Sequence, residues 1–393
     1  MHRETNTSNS PDFPDAELVF DETPLERAHS APASWYVDPR VHAVDLELIA
    51  SAWQYIGPAA DVAAPGQCTV AEVAGRSLAV VRGEDGLLRA FHNVCRHRGG
   101  PLLREKCTVP RLQCQYHGWV YSLDGRLLGT PQFRGAEGFD RAGITLAPVR
   151  VDEWQGLVFV NTAPSYAGAE PVMPLEESLA GIAEALLPVR LHRKRFAVRE
   201  VFPVACNWKT YVDNYMEAYH LPTIHPAYFR TLDFTAYRYD VHERWSVQRA
   251  PIGEDAGYYT ELKEAGVEHM RDACYVWAWP NLTLNVLPGR VQVNLVRPLA
   301  VDRCEVVFDY YYDDPAAMAD LIAEDRTVSA RIQAEDADIC QVVQRNLASG
   351  AYQPGRLSPE HESAVHGFQR SIRHAYRAHL SRAGEPARIR SIR

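Results

Sequence analysis

The chain has 393 residues, of which 46% are hydrophobic and 23% charged, an ordinary globular balance with room for two domains or one large one. Its net charge of −9 argues against a general nucleic-acid-binding protein. No apolar run reaches the roughly 18 residues that a membrane span needs, and the acidic start is unlike a signal or transit peptide. The eight cysteines are scattered without a disulfide framework. We therefore expect a cytoplasmic protein that binds neither nucleic acid nor membrane.

The first half of the chain predicts a small all-β domain. Residues 1–34 are polar, which predicts a mobile arm, and residues 35–57 form a short amphipathic stretch that leads inward. Strands are predicted at 69–73, 77–82, 87–93 and 157–161, and Asp124-Gly125 predicts a hairpin between 119–123 and 126–128. This domain presents two loops.

The second half predicts an antiparallel sheet covered by helices. A linker at 163–174 precedes a helix near 175–187, a strand near 196–204 and a helix that Asn207 caps. Three antiparallel strands are predicted at 274–286, 291–298 and 304–312, and long helices at 314–347 and 361–380. The chain is thus predicted to be α+β, with the antiparallel sheet and helices of the larger domain in a helix-grip arrangement. The predicted divisions are an arm and lead-in at 1–45, the β domain at 46–164 and the larger domain at 165–393.

Two mixed Cys/His pairs occupy the loops of the β domain. They are Cys95 with His97 and Cys114 with His117. Two thiolates on one iron and two imidazoles on the other hold a [2Fe–2S] cluster in the Rieske arrangement. A structural zinc site is the alternative, but such sites usually pair two cysteines and then two histidines. The pattern therefore favours the iron–sulfur cluster.

A second set of metal-binding side chains follows Asn207. Asp213, Glu217 and His220 are spaced to share one face of a helix, which Pro222 is expected to end. His225 can then turn back toward His220, which brings two imidazoles together as a facial iron site requires. A solvated helix face followed by a His-Pro turn is the alternative. An electron-delivering cluster upstream favours the iron site.

The third ligand of that site is expected to be a carboxylate on the long helix. Asp336 lies within an apolar stripe, between Ile332 and Ile339. A carboxylate among aliphatic side chains is costly unless it is paired or bound to a metal. A buried ion pair with an Arg is the alternative for Asp336. Glu335 and Asp338 are predicted to face solvent.

These segments resemble the alpha subunits of the Rieske non-heme iron oxygenases from about residue 35 to 376. The cluster loops match at residues 92–99 and 114–119, and residues 207–226 and 333–345 match the family's iron-site segments. The segments 294–299 and 304–310 are similar to the choline monooxygenase branch, which includes glycine betaine and carnitine oxygenases. Glu217 stands where ring-hydroxylating dioxygenases typically carry Asp, and Asn346 stands where that branch usually has Gly.

The resemblance implies one [2Fe–2S] Rieske cluster and one mononuclear Fe(II) held by His220, His225 and Asp336. It implies that electrons come from a separate NAD(P)H-dependent flavin/iron–sulfur reductase, because the chain has no dinucleotide or flavin motif of its own. It also implies a trimer in which the cluster of one subunit serves the iron of its neighbour. Glu217 would bridge the two centres, and Asp213 and Glu217 are the candidate catalytic residues.

The substrate stays open between two classes of small molecule. A quaternary ammonium compound would be hydroxylated or oxidatively demethylated in a cage of aromatic side chains. An aromatic acid would undergo ring dioxygenation in an apolar slot with Asn285 or Arg297 as its anchor. A third alternative is a Rieske electron-transfer protein without oxygenase activity. The candidate substrate-binding residues are Tyr219, Tyr228, Phe229, Tyr275, Trp277, Trp279 and Asn285.

Overall fold

The computed structural model describes residues 13–164, 171–253 and 272–383. Its helices are α1 Ser34–Val37, α2 Pro39–Ser51, α3 Leu175–Leu186, α4 Trp208–Tyr215, α5 Leu221–Ile224, α6 Pro226–Phe229, α7 Ala319–Ala348 and α8 Ser363–Ala383. Short 3₁₀ turns lie at Ala16–Phe20, Leu25–Arg27, Ala59–Val62, Leu187–Val189, Leu191–Arg193 and Phe234–Ala236.

Strands of the N-terminal half form two antiparallel sheets. They are β1 Gln54–Pro58, β2 Gln67–Val73, β3 Arg76–Arg82, β4 Leu88–His92, β5 Cys107–Thr108, β6 Leu112–Gln113, β7 Val120–Tyr121, β8 Leu127–Gly129, β9 Pro148–Trp154 and β10 Leu157–Asn161. The larger sheet has the order β1-β10-β9-β4-β3-β2-β5, and β6-β7-β8 form the smaller one. The four strands predicted here are confirmed, and β1, β5, β6 and β9 were not predicted.

The predicted hairpin at Asp124-Gly125 is confirmed between β7 and β8. Gly125 has a φ of +88°, and a Cβ atom there would come within 2.6 Å of the Phe91 ring. Only glycine meets both conditions without strain. The turn therefore packs directly on β4, which leads into the first Cys/His loop.

Strands of the C-terminal half form one seven-stranded antiparallel sheet. They are β11 Arg195–Val204, β12 Arg238–Val241, β13 Trp245–Pro251, β14 Asp272–Ala278, β15 Leu282–Leu287, β16 Arg290–Ala300 and β17 Arg303–Tyr312. Their order is β11-β17-β16-β15-β14-β13-β12. The single strand predicted at 274–286 is wrong: β14 and β15 are two strands separated by a turn that contains Pro280, which cannot donate to a sheet ladder. Strands β12 and β13 were not predicted.

The two faces of this sheet carry different helices. Apolar residues of α3, including Leu179 and Ile182, pack on one face in a core with Val276 and Leu284. Helices α4 and α8 cover the other face, where Trp208 and Phe368 lie in one core with Trp277. This sheet with its covering helices confirms the α+β prediction. Within the described ranges, no helix is both long and apolar enough to cross a lipid bilayer.

The predicted mobile arm is packed from residue 13 onward. Val19 is fully buried, and its carbonyl accepts a hydrogen bond from Arg377 at 2.8 Å. The Phe13 ring meets Tyr376 edge-on at 5.1 Å. The prediction was wrong there because polar composition does not exclude a few apolar anchors that bind the C-terminal helix. Residues 1–12, and residues 165–170 of the predicted linker, lie outside the described part.

A buried polar network connects the start of α4 to α2 and to α8. Asp45 on α2 is fully buried and accepts hydrogen bonds from Trp208 at 3.0 Å, from Tyr376 at 2.5 Å and from the Lys209 ammonium. A buried carboxylate is tolerable only when it is paired and hydrogen-bonded in this way. The network therefore fixes α4 against α2 and α8.

Candidate metal centres

The two Cys/His loops begin where strands end, so the sheet fixes their positions. Cys95 follows β4, and its amide donates to the Gly100 carbonyl at 2.9 Å; Cys114 follows β6, and its amide donates to the Trp119 carbonyl at 2.8 Å. Both thiols are buried. The Tyr121 hydroxyl lies 3.1 Å from Cys95 Sγ. Burial raises the pKa of the Cys95 thiol, while the Tyr121 hydrogen bond opposes that rise.

The two loops bring their imidazoles together. The rings of His97 and His117 lie 4.7 Å apart, and His97 stacks on Trp119 at an interplanar angle of 9°. The Nδ1 atom of His97 is buried and has no hydrogen-bond partner in the described structure. A buried ring nitrogen without a partner is costly unless it binds a metal. This atom therefore fits an iron ligand.

Glycine is required between the loops. A Cβ atom at Gly100 would lie 2.8 Å from Cys114 Sγ and 2.7 Å from the Tyr116 Cβ. The two loops approach each other too closely there for any other residue. The thiols, the imidazoles and this close approach fit the [2Fe–2S] cluster of the Rieske arrangement.

The helix predicted to carry Asp213, Glu217 and His220 on one face is shorter than expected. Helix α4 ends at Tyr215, so only Asp213 lies within it. His220 precedes α5, and Pro222 lies in the first turn of that helix instead of ending the earlier one. The prediction was wrong because a proline without a free N–H is as compatible with the start of a helix as with its end.

A trio of possible metal ligands nevertheless converges. Ligand atoms of His220, His225 and Asp336 all lie within 4.8 Å of one another. Asp336 Oδ1 is 2.9 Å from His225 Nε2 and 3.6 Å from His220 Nε2. Two imidazoles and one carboxylate are the facial set typical of non-heme iron(II).

Each histidine is oriented by a glutamate on its other ring nitrogen. Glu217 Oε1 lies 2.7 Å from His220 Nδ1, and its Oε2 accepts from the His220 amide at 3.0 Å. Glu335 Oε2 lies 2.6 Å from His225 Nδ1. Such contacts fix the tautomer, so that Nε2 of each ring would be free to bind a metal. Burial lowers the pKa of His225, but the hydrogen bonds and charges of Asp336 and Glu335 outweigh it and raise the pKa.

Asp336 faces the site on a helix face that is mainly polar, not aliphatic. The buried residues of α7 are Ile322, Asp325, Ser329, Gln333, Cys340, Gln344 and Leu347. Val343, which continues the spacing of the predicted stripe after Ile339, is 38% exposed, and Ile332 and Ile339 are only partly buried. The buried face is therefore shifted by one residue from most of the predicted stripe. The prediction of aliphatic neighbours for Asp336 was wrong, although Asp336 itself faces the site. Asp338 is exposed, as predicted.

Asp213 contacts the N-terminal segment and the last described helix, α8. Tyr36 donates to Asp213 Oδ2 at 2.5 Å, and Gln369 donates to Oδ1 at 3.3 Å. Burial raises the pKa of Asp213 to about 7, although both hydrogen bonds lower it. The described hydrogen bonds and ion pairs of Asp213 include none to the His220 or His225 rings.

Aromatic side chains predicted to bind substrate fall into two groups. Tyr228 and Tyr275 share a hydrogen bond between their hydroxyls, and both belong with Phe229, Phe234 and Tyr237 to a cluster around α5 and α6. Tyr219 is 58% exposed and stacks on His361. We call the group Tyr228, Phe229, Phe234, Tyr237 and Tyr275 the aromatic cluster.

Other predicted substrate residues lie elsewhere. Trp277 is buried against Trp279 and Phe368 in the core, so it offers no face to a ligand. Asn285 accepts from the Tyr215 hydroxyl at 3.0 Å. Arg297 pairs with Glu305 and lines a cavity on the opposite face of the sheet, which removes it as an anchor at this site.

Two contributors were missed in the sequence. Glu335 was predicted to face solvent, yet it holds His225. The Gln344 side chain accepts from the Asn207 amide at 2.9 Å and so connects α7 to the start of α4. The position of Glu335 directly before the candidate ligand Asp336 was the available signal, but its partner is 110 positions away in the chain.

Comparisons with known proteins agree with this geometry. Residues 52–145 match the Rieske [2Fe-2S] domain, and residues 190–378 match the ring hydroxylating alpha subunit (catalytic domain). Choline monooxygenase of Arabidopsis thaliana is 31% identical over 95% of this chain and 89% of its own. The carnitine monooxygenase oxygenase subunit of Escherichia coli K12 is 30% identical over 88% of this chain and 92% of its own.

Solved oxygenase structures also share the fold of this chain. The quaternary ammonium Rieske monooxygenase CntA in complex with L-carnitine is 27% identical and superposes with a TM-score of 0.75, covering 91% of this chain and 99% of that one. Naphthalene 1,2-dioxygenase from a Rhodococcus species, 21% identical with a TM-score of 0.71, shares the fold over 91% of this chain and 95% of its own.

Proposed function

Because this chain belongs to the Rieske non-heme iron oxygenases as an alpha subunit, we propose that it hydroxylates or oxidatively demethylates a quaternary ammonium compound. The family makes it an oxidoreductase that uses O2 and carries a [2Fe–2S] cluster and a mononuclear iron. The convergence of His220, His225 and Asp336 carries the proposal, together with Tyr228 and Phe229 of the aromatic cluster on α6, which begins directly after His225. Relatives named as choline and carnitine monooxygenases support the substrate class.

Seven side chains are the proposed metal ligands. Cys95, Cys114, His97 and His117 would hold the cluster, and His220, His225 and Asp336 would hold the mononuclear iron. When bound, the cluster supplies single electrons and the mononuclear iron supplies the activation of dioxygen. We retain 46–164 and 165–393 as the two domains, with 1–45 as arm and lead-in.

The glutamates are proposed to orient the ligand histidines. Glu217 accepts the Nδ1 proton of His220, and Glu335 accepts that of His225, so each ring presents Nε2. Glu217 is also proposed as the bridge to the cluster histidines of a neighbouring subunit. Asp213 is proposed to position α4 through Tyr36 and not to meet the substrate.

The aromatic cluster is proposed to recognise the cation. A quaternary ammonium group has no N–H to donate, so ring faces are its natural partners, at about 0.5–2 kcal/mol for each well-placed ring. Tyr228 and Tyr275 present rings near α5, which begins directly after His220. Tyr219 and Asn285 are further candidate contacts.

The enzyme depends on a separate reductase, as alpha subunits of this family do, together with O2 and the organic substrate. We propose an NAD(P)H-dependent flavin/iron–sulfur protein as that reductase and a homotrimer as the assembly. Exposed apolar side chains at both centres support an oligomer: Tyr116 is 57% exposed in the second cluster loop and Tyr219 is 58% exposed beside His220. Inter-subunit electron transfer is described for the related CntA. A cytoplasmic location is also proposed, and the eight unpaired cysteines support it.

Binding of matched ligands tests the substrate proposal. Choline should bind at least about tenfold more tightly than its neutral carbon isostere, in which tert-butyl replaces trimethylammonium. Tyr228→Leu and Tyr275→Leu should reduce that ratio, and Tyr116→Leu in the cluster loop is the matched control. Equal affinities for choline and the isostere would contradict recognition of the cation.

The other two functions are less well supported. A ring-hydroxylating dioxygenase for aromatic acids needs an anchor for the carboxylate, but Arg297 lies on the opposite face of the sheet and Asn285 is hydrogen-bonded to Tyr215 and Gln292. An electron-transfer protein without oxygenase activity needs no His–His–Asp trio, and it does not account for the match of residues 190–378 to the catalytic domain.

A further inference from the structure

Two cysteines outside both metal centres face each other across a pair of strands. Cys68 on β2 and Cys107 on β5 are directly opposite in the antiparallel register, and their Sγ atoms lie 3.2 Å apart. Opposed residues of an antiparallel pair have Cα atoms about 4.5–5.5 Å apart, within the range of about 4.4–6.8 Å that a disulfide spans. The two side chains can therefore be bonded with little backbone movement.

The two thiols differ in access. Cys68 is fully buried, whereas Cys107 is partly exposed on the two-residue edge strand β5. Burial and a hydrogen bond with Cys107 raise the pKa of Cys68 to about 12, so Cys68 is a neutral thiol at physiological pH. Cys107 is the thiol that a reagent in solution can reach. By contrast, Cys206 and Cys304, whose Sγ atoms are 4.0 Å apart, are both buried.

The pair also lies next to the cluster loops. From Cys107 the chain runs through β6 directly to Cys114. Strand β5 is held by only two paired positions, Gln67 with Thr108 and Cys68 with Cys107. A covalent link at the second position would anchor the segment that leads into the second Cys/His loop.

We propose that Cys68 and Cys107 are a reversible thiol–disulfide site, oxidised by a low-molecular-weight disulfide of the glutathione class. The Cys107 thiolate attacks one sulfur of the reagent, the reagent's S–S bond breaks, and one thiol leaves. Cys68 then gives up its proton and its sulfur attacks Cys107 Sγ, which releases the second thiol. Two protein thiols lose two electrons and two protons, and one glutathione disulfide becomes two glutathiones. The proposal does not depend on the substrate of the enzyme.

Differential alkylation of the cluster-loaded protein tests the site. The protein is incubated with glutathione disulfide and alkylated, and one half is mapped by peptide mass spectrometry without reduction. The other half is reduced and alkylated with a second reagent before mapping. We expect a Cys68–Cys107 cross-link, with a mass loss of about 2 Da, that dithiothreitol reverses while the cluster absorption persists. Cys68→Ala should instead retain one glutathione on Cys107, and Cys107→Ala should retain none on Cys68.

Cys274→Ala is the matched control, because Cys274 is buried and remote from the pair, and it should form the cross-link normally. Wild-type mapping alone decides the question if a variant fails to fold. A stable glutathione adduct on wild-type Cys107 without a cross-link would overturn the proposal. So would cross-linking only after the cluster absorption is lost, since the site would then belong to the unfolded chain.

Discussion

Glu335 Oε2 lies 2.6 Å from His225 Nδ1, while the adjacent residue Asp336 lies 2.9 Å from Nε2 of the same ring. One helical turn of α7 thus supplies both the orientation of a histidine and a carboxylate beside it. A second glutamate, Glu217, contacts Nδ1 of the other histidine, His220, in the same way. Both histidines of the site are therefore oriented by a glutamate that contacts Nδ1.

Glu335→Gln should weaken iron binding without affecting the cluster. Glutamine keeps the shape but loses the charge that favours the Nδ1 proton of His225, so we expect about 10- to 100-fold lower affinity for mononuclear iron. Iron titration after chelation measures it, with the cluster absorption as an internal control. The exposed Asp338 is the matched control: Asp338→Asn should bind iron as the wild type does.

Asp336→Ala should abolish turnover and leave the cluster spectrum intact. It removes the only carboxylate of the converging trio, whereas the cluster loops belong to another domain. Iron content and visible absorption are measured on the same sample. If Asp338→Ala loses turnover and Asp336→Ala keeps it, Asp338 and not Asp336 is the carboxylate of the site.

Cys95→Ala, Cys114→Ala, His97→Ala and His117→Ala should each abolish the visible absorption of the cluster. Each removes one proposed ligand, and a bound Rieske cluster needs all four. Cys107→Ala, seven residues before Cys114, should keep the absorption. A cluster in Cys114→Ala would refute this ligand set.

Glu217→Gln, loaded with both metals at saturating iron(II), should slow product formation in a single turnover by orders of magnitude. The substitution keeps a hydrogen bond to His220 but removes the charge proposed to bridge two subunits. Rapid-quench analysis of pre-reduced protein measures the rate. An unchanged rate would exclude the bridge.

Asp213→Asn should change how thermal stability depends on pH. The pKa of Asp213 in the folded protein, about 7, is above its value in the unfolded chain. The protonated carboxyl therefore stabilises the folded state, and this contribution to the free energy of unfolding is fully present below about pH 4 and is lost as the pH rises toward 7. Asparagine cannot ionise, so the variant should gain about 1–2 kcal/mol relative to wild type as the pH rises from 5.5 to 7. Paired melting curves across that range measure it. A difference in melting temperature that stays constant with pH would contradict the shifted pKa.

Local signals in the sequence predicted much of the fold and of the site. The Cys/His loops are contiguous, and short apolar strands bounded by turn residues, such as β3 and β10, carry their own pattern, so both were predictable. Asp336 was chosen for a wrong reason, because a long helix whose buried face is polar does not show its true register in hydrophobicity. Glu335 with His225 and Cys68 with Cys107 were missed because each pair meets only through the tertiary fold.

Product analysis with matched substrates tests the central claim most directly. Pre-reduced protein, loaded with both metals, is exposed to O2 with choline, carnitine or benzoate, and products are identified by mass spectrometry, with Asp336→Ala as the control. We predict an oxidised or demethylated product from a quaternary ammonium compound, none from benzoate and none from the variant. Oxygenation of benzoate alone would contradict the assignment and make the chain a ring-hydroxylating enzyme.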